Sequence, residues 1–146
     1  MPSTLVEARW GAYRQLVVIR QAAQRWRDVW ERSWPAKDVE AIVELYADPV
    51  EYRALVLRQP ELGRDGVRDY LQRNFAVEDD IECRFGTPVV GDDRAAVEWW
   101  SSWVEDGRRL TMAGSTFLRF DAAGRVVDHR DYWNEVDGQE PPFAGW

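Results

Sequence analysis

The chain has 146 residues, 26 acidic and 19 basic side chains, and a formal charge of −7. This length suits one domain, and the acidic balance argues against nucleic acid, whose binding depends on clustered Lys and Arg. One cysteine (Cys83) and one histidine (His129) exclude a disulfide framework, multi-cysteine zinc or iron–sulfur sites, and metal centres that need two histidines.

In chain order, the first third reads helical. Thr4 and Glu7 have capping-box spacing, and Leu16, Ile19, Ala23, Trp26 and Trp30 recur at intervals of three and four, which places them on one face. Gly11 is a candidate break, leaving about 3–14 as an N-terminal helical extension. Pro35 closes the helix, because proline lacks the N–H that a helix interior needs. A second helix is expected at Lys37–Ala47, with Val39, Ile42, Val43 and Tyr46 as its apolar face, ended by Asp48-Pro49. Val50–Leu57 reads as a strand, and Asp65–Phe75 as a third helix. Glu78-Asp79-Asp80 reads as a solvated turn.

From Ile81 the period changes to two. Strands are expected at Ile81–Val90, Ala95–Glu105, Arg108–Phe120 and Arg125–Glu135, with Asp106-Gly107 as a hairpin turn. Residues from about 136 to 146, with Pro141-Pro142, read as a tail. The expected order is α-α-β-α-β-β-β-β in a single domain spanning 1–146. The fold class is α+β: a cone-shaped, curved, mostly antiparallel sheet with the three helices packed on its concave face. No run approaches the ~20 apolar residues that span a bilayer, and Arg9, Arg14 and Arg20 interrupt any secretory pattern. The expectation is a soluble, cytoplasmic protein with no membrane partner.

Two segments carry a resemblance. Asp38–Asp48 (DVEAIVELYAD) and Phe117–Asp137 (FLRFDAAGRVVDHRDYWNEVD) resemble the nuclear transport factor 2-like superfamily, in its SnoaL-like polyketide cyclase and ketosteroid isomerase-like branch. The resemblance covers about residues 15–137. It implies the cone fold, a small-molecule pocket and a dimer formed through the outer sheet face, here Trp100, Ser102 and Tyr132. The ketosteroid isomerase residues are missing: the base position falls on Ala54, the Tyr on Trp30 and the donor Asp on Thr116. Limonene epoxide hydrolases are matched at Tyr52 and Asp131, with Ala54 where that family has Asn. SnoaL-like cyclases place an acid–base Asp on the late strands, and Asp131 matches it.

Alternation then sorts the strand residues. One face takes His129, Asp131 and Trp133; Val97, Trp99, Ser101 and Trp103; Met112, Gly114 and Thr116; and Tyr52, Ala54 and Val56. Trp26 and Trp30 cover this face from the first helix. The expected result is an aromatic cavity with few polar groups. Asp131, His129 and Tyr52 are the candidate catalytic residues. Trp30, Trp99, Ser101, Trp103, Thr116 and Trp133 are the candidate substrate contacts. Neither a metal nor another cofactor is expected. Burial disfavours a charged carboxylate, which suits Asp131 to general acid–base work; the competing role is a structural pair with an Arg such as Arg84. His129 either shares a proton with Asp131 or is a hydrogen-bonded core residue. The reading is a small enzyme that performs cofactor-free proton transfer (cyclisation, isomerisation or dehydration) on a hydrophobic carbonyl compound. The alternatives are a non-catalytic binder of a hydrophobic or aromatic small molecule and a dimeric interaction module.

Overall fold

The computed structural model describes residues 4–146. Ten elements follow one another: α1 (Thr4–Ser33), α2 (Val39–Val43), β1 (Tyr46–Arg53), β2 (Glu61–Leu62), α3 (Gly63–Phe75), β3 (Asp79–Phe85), β4 (Val89–Val90), β5 (Arg94–Glu105), β6 (Arg108–Phe120) and β7 (Val126–Asp137). The seven strands form one curved, open, mixed sheet in the order β2-β1-β7-β6-β5-β3, with β4 also pairing to β5. The long β5–β6–β7 meander is antiparallel. Asp106 and Gly107 both take positive φ at its first turn, the geometry that favours an Asp-Gly hairpin.

The exception to antiparallel pairing positions the site. β1 runs parallel to β7, with Tyr52 opposite His129. The register shifts between Tyr46 and Glu51, and Pro49 lies in that irregular stretch, where a missing N–H costs no regular ladder bond. Asp48-Pro49 therefore sits inside a strand instead of ending a helix. The expected second helix shortens to five residues, its N-terminus capped by the Asp38 carboxylate accepting from the Ala41 amide at 3.1 Å. Tyr46 moves from a helix face to the start of β1.

Other boundaries shift less. α1 runs unbroken for 30 residues through Gly11, so Gly11 lowers propensity without ending the helix, and Thr4 lies within it and is not its cap. No helix among the described residues is long and apolar enough to cross a membrane. The strand expected at Ile81–Val90 divides into β3 and β4 around Gly86. The acidic run is not a solvated turn: Glu78 is 7% exposed, and Asp79 and Asp80 open β3.

The helices cover one sheet face and bury Ile19, Ala23, Trp26 and Trp30 of α1, and Val67 and Leu71 of α3, against inward residues such as Val97, Trp99 and Tyr52. The C-terminal tail lies on the opposite face. The Trp100 indole donates to the Glu140 carbonyl at 2.7 Å, its ring meets Phe143 and Trp146 edge-on, and Arg84 stacks over Trp146. Ser102 is buried. Of the three residues expected on an outer interface, Tyr132 alone remains strongly exposed; the tail covers Trp100, and Arg109 reaches the Ser102 hydroxyl.

Gly114, on β6 opposite Trp133 of β7, has no room for a side chain. A Cβ there would lie 2.4 Å from the Tyr132 carbonyl oxygen and 2.7 Å from the Trp133 Cβ. Gly114→Ala is expected to destabilise the protein by about 2 kcal/mol or more, measured by urea unfolding; unchanged stability would show that the strands can separate freely here.

Candidate active site

Between the helices and the sheet lies a cavity of about 310 Å³. Six tryptophans line it: Trp26 and Trp30 from α1, Trp34 from the turn just beyond it, Trp99 and Trp103 from β5, and Trp133 from β7. Tyr52, Tyr70, Phe75 and Phe85 complete the aromatic wall.

A buried chain of hydrogen bonds crosses this wall. Trp26 and Trp30 donate their indole N–H groups to the Tyr46 hydroxyl at 3.1 and 3.2 Å. The Tyr46 hydroxyl lies 2.9 Å from His129 Nδ1, and His129 Nε2 lies 2.8 Å from Asp131 Oδ1. On the other side, Trp99 donates to the Thr116 hydroxyl at 2.8 Å, which donates to the same Asp131 oxygen at 2.6 Å.

Indole N–H groups can only donate, and this fixes every proton in the chain. The Tyr46 oxygen accepts from two indoles, so its own hydrogen goes to His129 Nδ1. That nitrogen is then the acceptor, and Nε2 carries the proton that is donated to Asp131. Burial, together with the charge of Asp131, pushes the Tyr46 phenol far above its usual range, which keeps it a donor. Tyr52 stacks on the His129 ring, with centroids 3.9 Å apart and planes inclined by 23°. Its phenol is also pushed well up, mainly by burial and then by Asp131. Asp131 Oδ1 thus holds two internal donors, while Oδ2 has no hydrogen-bond partner among the described residues.

The sequence-derived candidates divide. Asp131, His129, Tyr52, Trp30, Trp99, Trp103, Thr116 and Trp133 all line the cavity. Trp133 sits at its rim, tied by its indole N–H to the Ala54 carbonyl at 2.9 Å. Ser101 does not line it; its hydroxyl turns back to the Met112 carbonyl at 3.3 Å, as buried strand hydroxyls commonly do. Val56 lies in the turn beyond β1 and is absent from the wall. Asp131 does not pair with Arg84, which stacks on the outer face. Cys83 bonds the Glu31 carbonyl, and burial pushes its thiol up to about 12, so it is an inert packing group.

Several residues of the site escaped the sequence reading, Tyr46, Glu78 and its partner Trp34 among them. Tyr46 was hidden by the misplaced helix boundary. Glu78 lines the cavity and accepts from the Trp34 indole at 2.8 Å. Burial, with a smaller push from Glu105, raises its carboxyl to about 7 against the lowering effects of Trp34 and Lys37.

With this geometry in view, the comparisons with known proteins become specific. The SnoaL-like domain family model matches residues 23–129, most of the chain and of the cavity wall; Asp131, Trp133 and Glu135 lie just beyond the match. The chain belongs to the SnoaL-like family. Solved structures of the same fold include a hypothetical protein with a ketosteroid isomerase-like fold from Catenulispora acidiphila DSM 44928, in complex with trimethylamine. It is 17% identical with a TM-score of 0.64, over 72% of this chain and 82% of that one. An NTF2-like protein of unknown function from Exiguobacterium sp. 255-15 is 20% identical with a TM-score of 0.66, over 77% and 98%. The epoxide hydrolase/cyclase-like enzyme SalBIII, of pyran ring formation in polyether salinomycin, is 18% identical with a TM-score of 0.64, over 84% and 92%. At these identities the likeness establishes the fold. The SnoaL-like frame accounts for the cavity, and this chain's own tryptophans account for the direction of its hydrogen bonds.

Two outcomes follow from the site. Nitrogen-15 NMR should find His129 protonated on Nε2 in the wild type. Tyr46→Phe should cost about 1–3 kcal/mol, since it strips an acceptor from two buried indoles; an Nδ1-protonated wild type would refute the proton order. For Glu78, the folded state holds a proton between about pH 4.5 and 7 that the unfolded state has released, so stability falls as pH rises through that window. Glu78→Gln should therefore melt higher than wild type at about pH 8, with the difference shrinking towards pH 5; a pH-independent difference would exclude titration of Glu78 as the cause.

Proposed function

We propose that this chain is a small-molecule enzyme in which Asp131 moves a proton at a carbon beside a carbonyl group. The reaction class is cofactor-free isomerisation, cyclisation or dehydration of a hydrophobic carbonyl compound. The observation that carries this reading is the asymmetric carboxylate: one oxygen of Asp131 is fixed by His129 and Thr116, and the other is unengaged beside an aromatic cavity. A carboxylate held this way keeps its free oxygen in one orientation, as a general base requires. His129 and Tyr46 act as positioning residues, because Tyr46 holds His129 through Nδ1 while His129 donates to Asp131 through Nε2.

Proton removal beside a carbonyl leaves an enolate oxygen that needs a donor. Trp103 Nε1 is a buried donor in the cavity wall with no acceptor among the described residues, and it supports this role. A cyclase-like enzyme and a trimethylamine complex on the same fold support a small-molecule occupant.

The competing reading is a non-catalytic binder. It is favoured by the engagement of Trp30 and Thr116, at the ketosteroid-type donor positions, with Tyr46 and Asp131. Deuterium exchange separates the two. Wild-type protein should accelerate α-proton exchange of a planar ketone such as 2-tetralone in D₂O, followed by NMR. Asp131→Asn should lose on the order of 100-fold or more of that acceleration while still binding the ketone. Equal exchange in the variant, or no acceleration by the wild type, would favour the binder.

A further inference from the structure

The cavity holds a charge pattern that a hydrophobic ketone does not use. Asp131, Glu78, Glu105 and Glu135 contribute carboxylates to its wall, and no Lys or Arg contributes to it. Its arginines are spent elsewhere: Arg27 on the Phe85 carbonyl and Asp28, Arg53 on Glu51 and Asp128. Glu78 is 7% exposed, and its recorded hydrogen bond comes from an indole, not from a cation. Lys37, the nearest basic influence on it, pairs with Asp79 at 3.5 Å. The same wall carries six indoles with Tyr52, Tyr70, Phe75 and Phe85, and ring faces carry the negative end of the aromatic quadrupole. Carboxylates and ring faces therefore favour the same kind of guest, a positively charged one, and they repel an anion. A second, independent feature points to a ligand. Trp103 is 5% exposed and lines the cavity, yet its Nε1 donor has no acceptor among the described residues.

We propose that the cavity takes a small organic ammonium compound that also carries an oxygen acceptor, with Glu78 as the carboxylate that answers its charge and Trp103 as the donor to its oxygen. This rests on the cavity being the ligand site and deepens that reading, because it names the substrate class as amine-bearing. Glu78 faces Trp34 and Lys37 from the α1 end and Glu105 from β5; Asp131, Glu135, His129, Tyr52 and Tyr70 complete the titratable lining. A bound cation stabilises the ionised form of Glu78, so cation affinity rises as pH climbs from about 6 to 8.

The test compares choline with 3,3-dimethylbutan-1-ol, its uncharged carbon isostere, by tryptophan fluorescence and calorimetric titration of the whole protein. Both probes offer the same hydroxyl oxygen to Trp103 and differ only in charge. Choline should bind about tenfold or more tightly, with the gap widening from about pH 6 to 8. Glu78→Gln should collapse the gap and remove its pH dependence, while binding of the neutral alcohol and the melting transition persist. Equal binding of the two probes, a gap that survives Glu78→Gln, or no saturable response to choline would overturn the proposal. No turnover enters these measurements. Failure here leaves ketone exchange by Asp131 standing, and failure of that exchange leaves a cation site standing.

Discussion

Everything in the site depends on one property of the indole ring: its nitrogen gives a hydrogen bond and cannot take one. Three tryptophans, Trp26, Trp30 and Trp99, use that property at the two ends of a buried polar chain. Hydroxyl groups can point either way, and an imidazole can carry its proton on either nitrogen. With indoles at both ends, the chain has one consistent order of protons, and it converges on Asp131 Oδ1. A buried network that is fully satisfied specifies one arrangement, whereas a partly satisfied one is costly. The tryptophan excess in the composition is therefore more than greasy wall. Half of the six cavity tryptophans serve as directional donors, a fourth anchors Glu78, and a fifth ties the rim to Ala54.

Glu78 and Asp131 illustrate two ways of keeping a carboxylate out of water. Asp131 is met by neutral donors that favour one orientation. Glu78 is met by a single indole and by the field of Glu105, and it keeps its proton to about neutral pH. Two acids in one cavity with different surroundings give the site two distinct chemical ends, as happens wherever environment separates the behaviour of paired acids.

Much of this was legible from the sequence because strand period is rigid. Once β5, β6 and β7 were recognised, alternation alone put Trp99, Trp103, Thr116, His129 and Asp131 on a common side. The SnoaL-like resemblance supplied the curvature that turns a side into a cavity. Alternation could not say which inward hydroxyl faces open space: Ser101 and Thr116 share a face, but Ser101 satisfies itself on the Met112 carbonyl. Nor could it find Tyr46. Asp48-Pro49 is a strong stop signal, and only the irregular pairing with β7 makes it tolerable within a strand. Glu78 was missed for a different reason. An acidic triplet reads as solvated, and its burial depends on Trp34 being 44 residues away in the chain and adjacent in space. The tail was legible as a tail, but its return to Trp100 is a tertiary event with no local pattern.

The parallel pairing of β1 with β7 has a consequence for how the protein is made. It joins the first strand to the last, so Tyr46 and Tyr52 wait for His129, roughly eighty residues later in the chain. During synthesis the helices and the first strand leave the ribosome with their tryptophans and tyrosines lacking that partner. The polar chain closes only after His129 and Asp131 of β7 have been made. Contacts of such long sequence separation form slowly, because the loop entropy is lost before the contact is gained. The buried polar chain is thus the seam that joins β1 to β7, and it forms only when these two strands have come together.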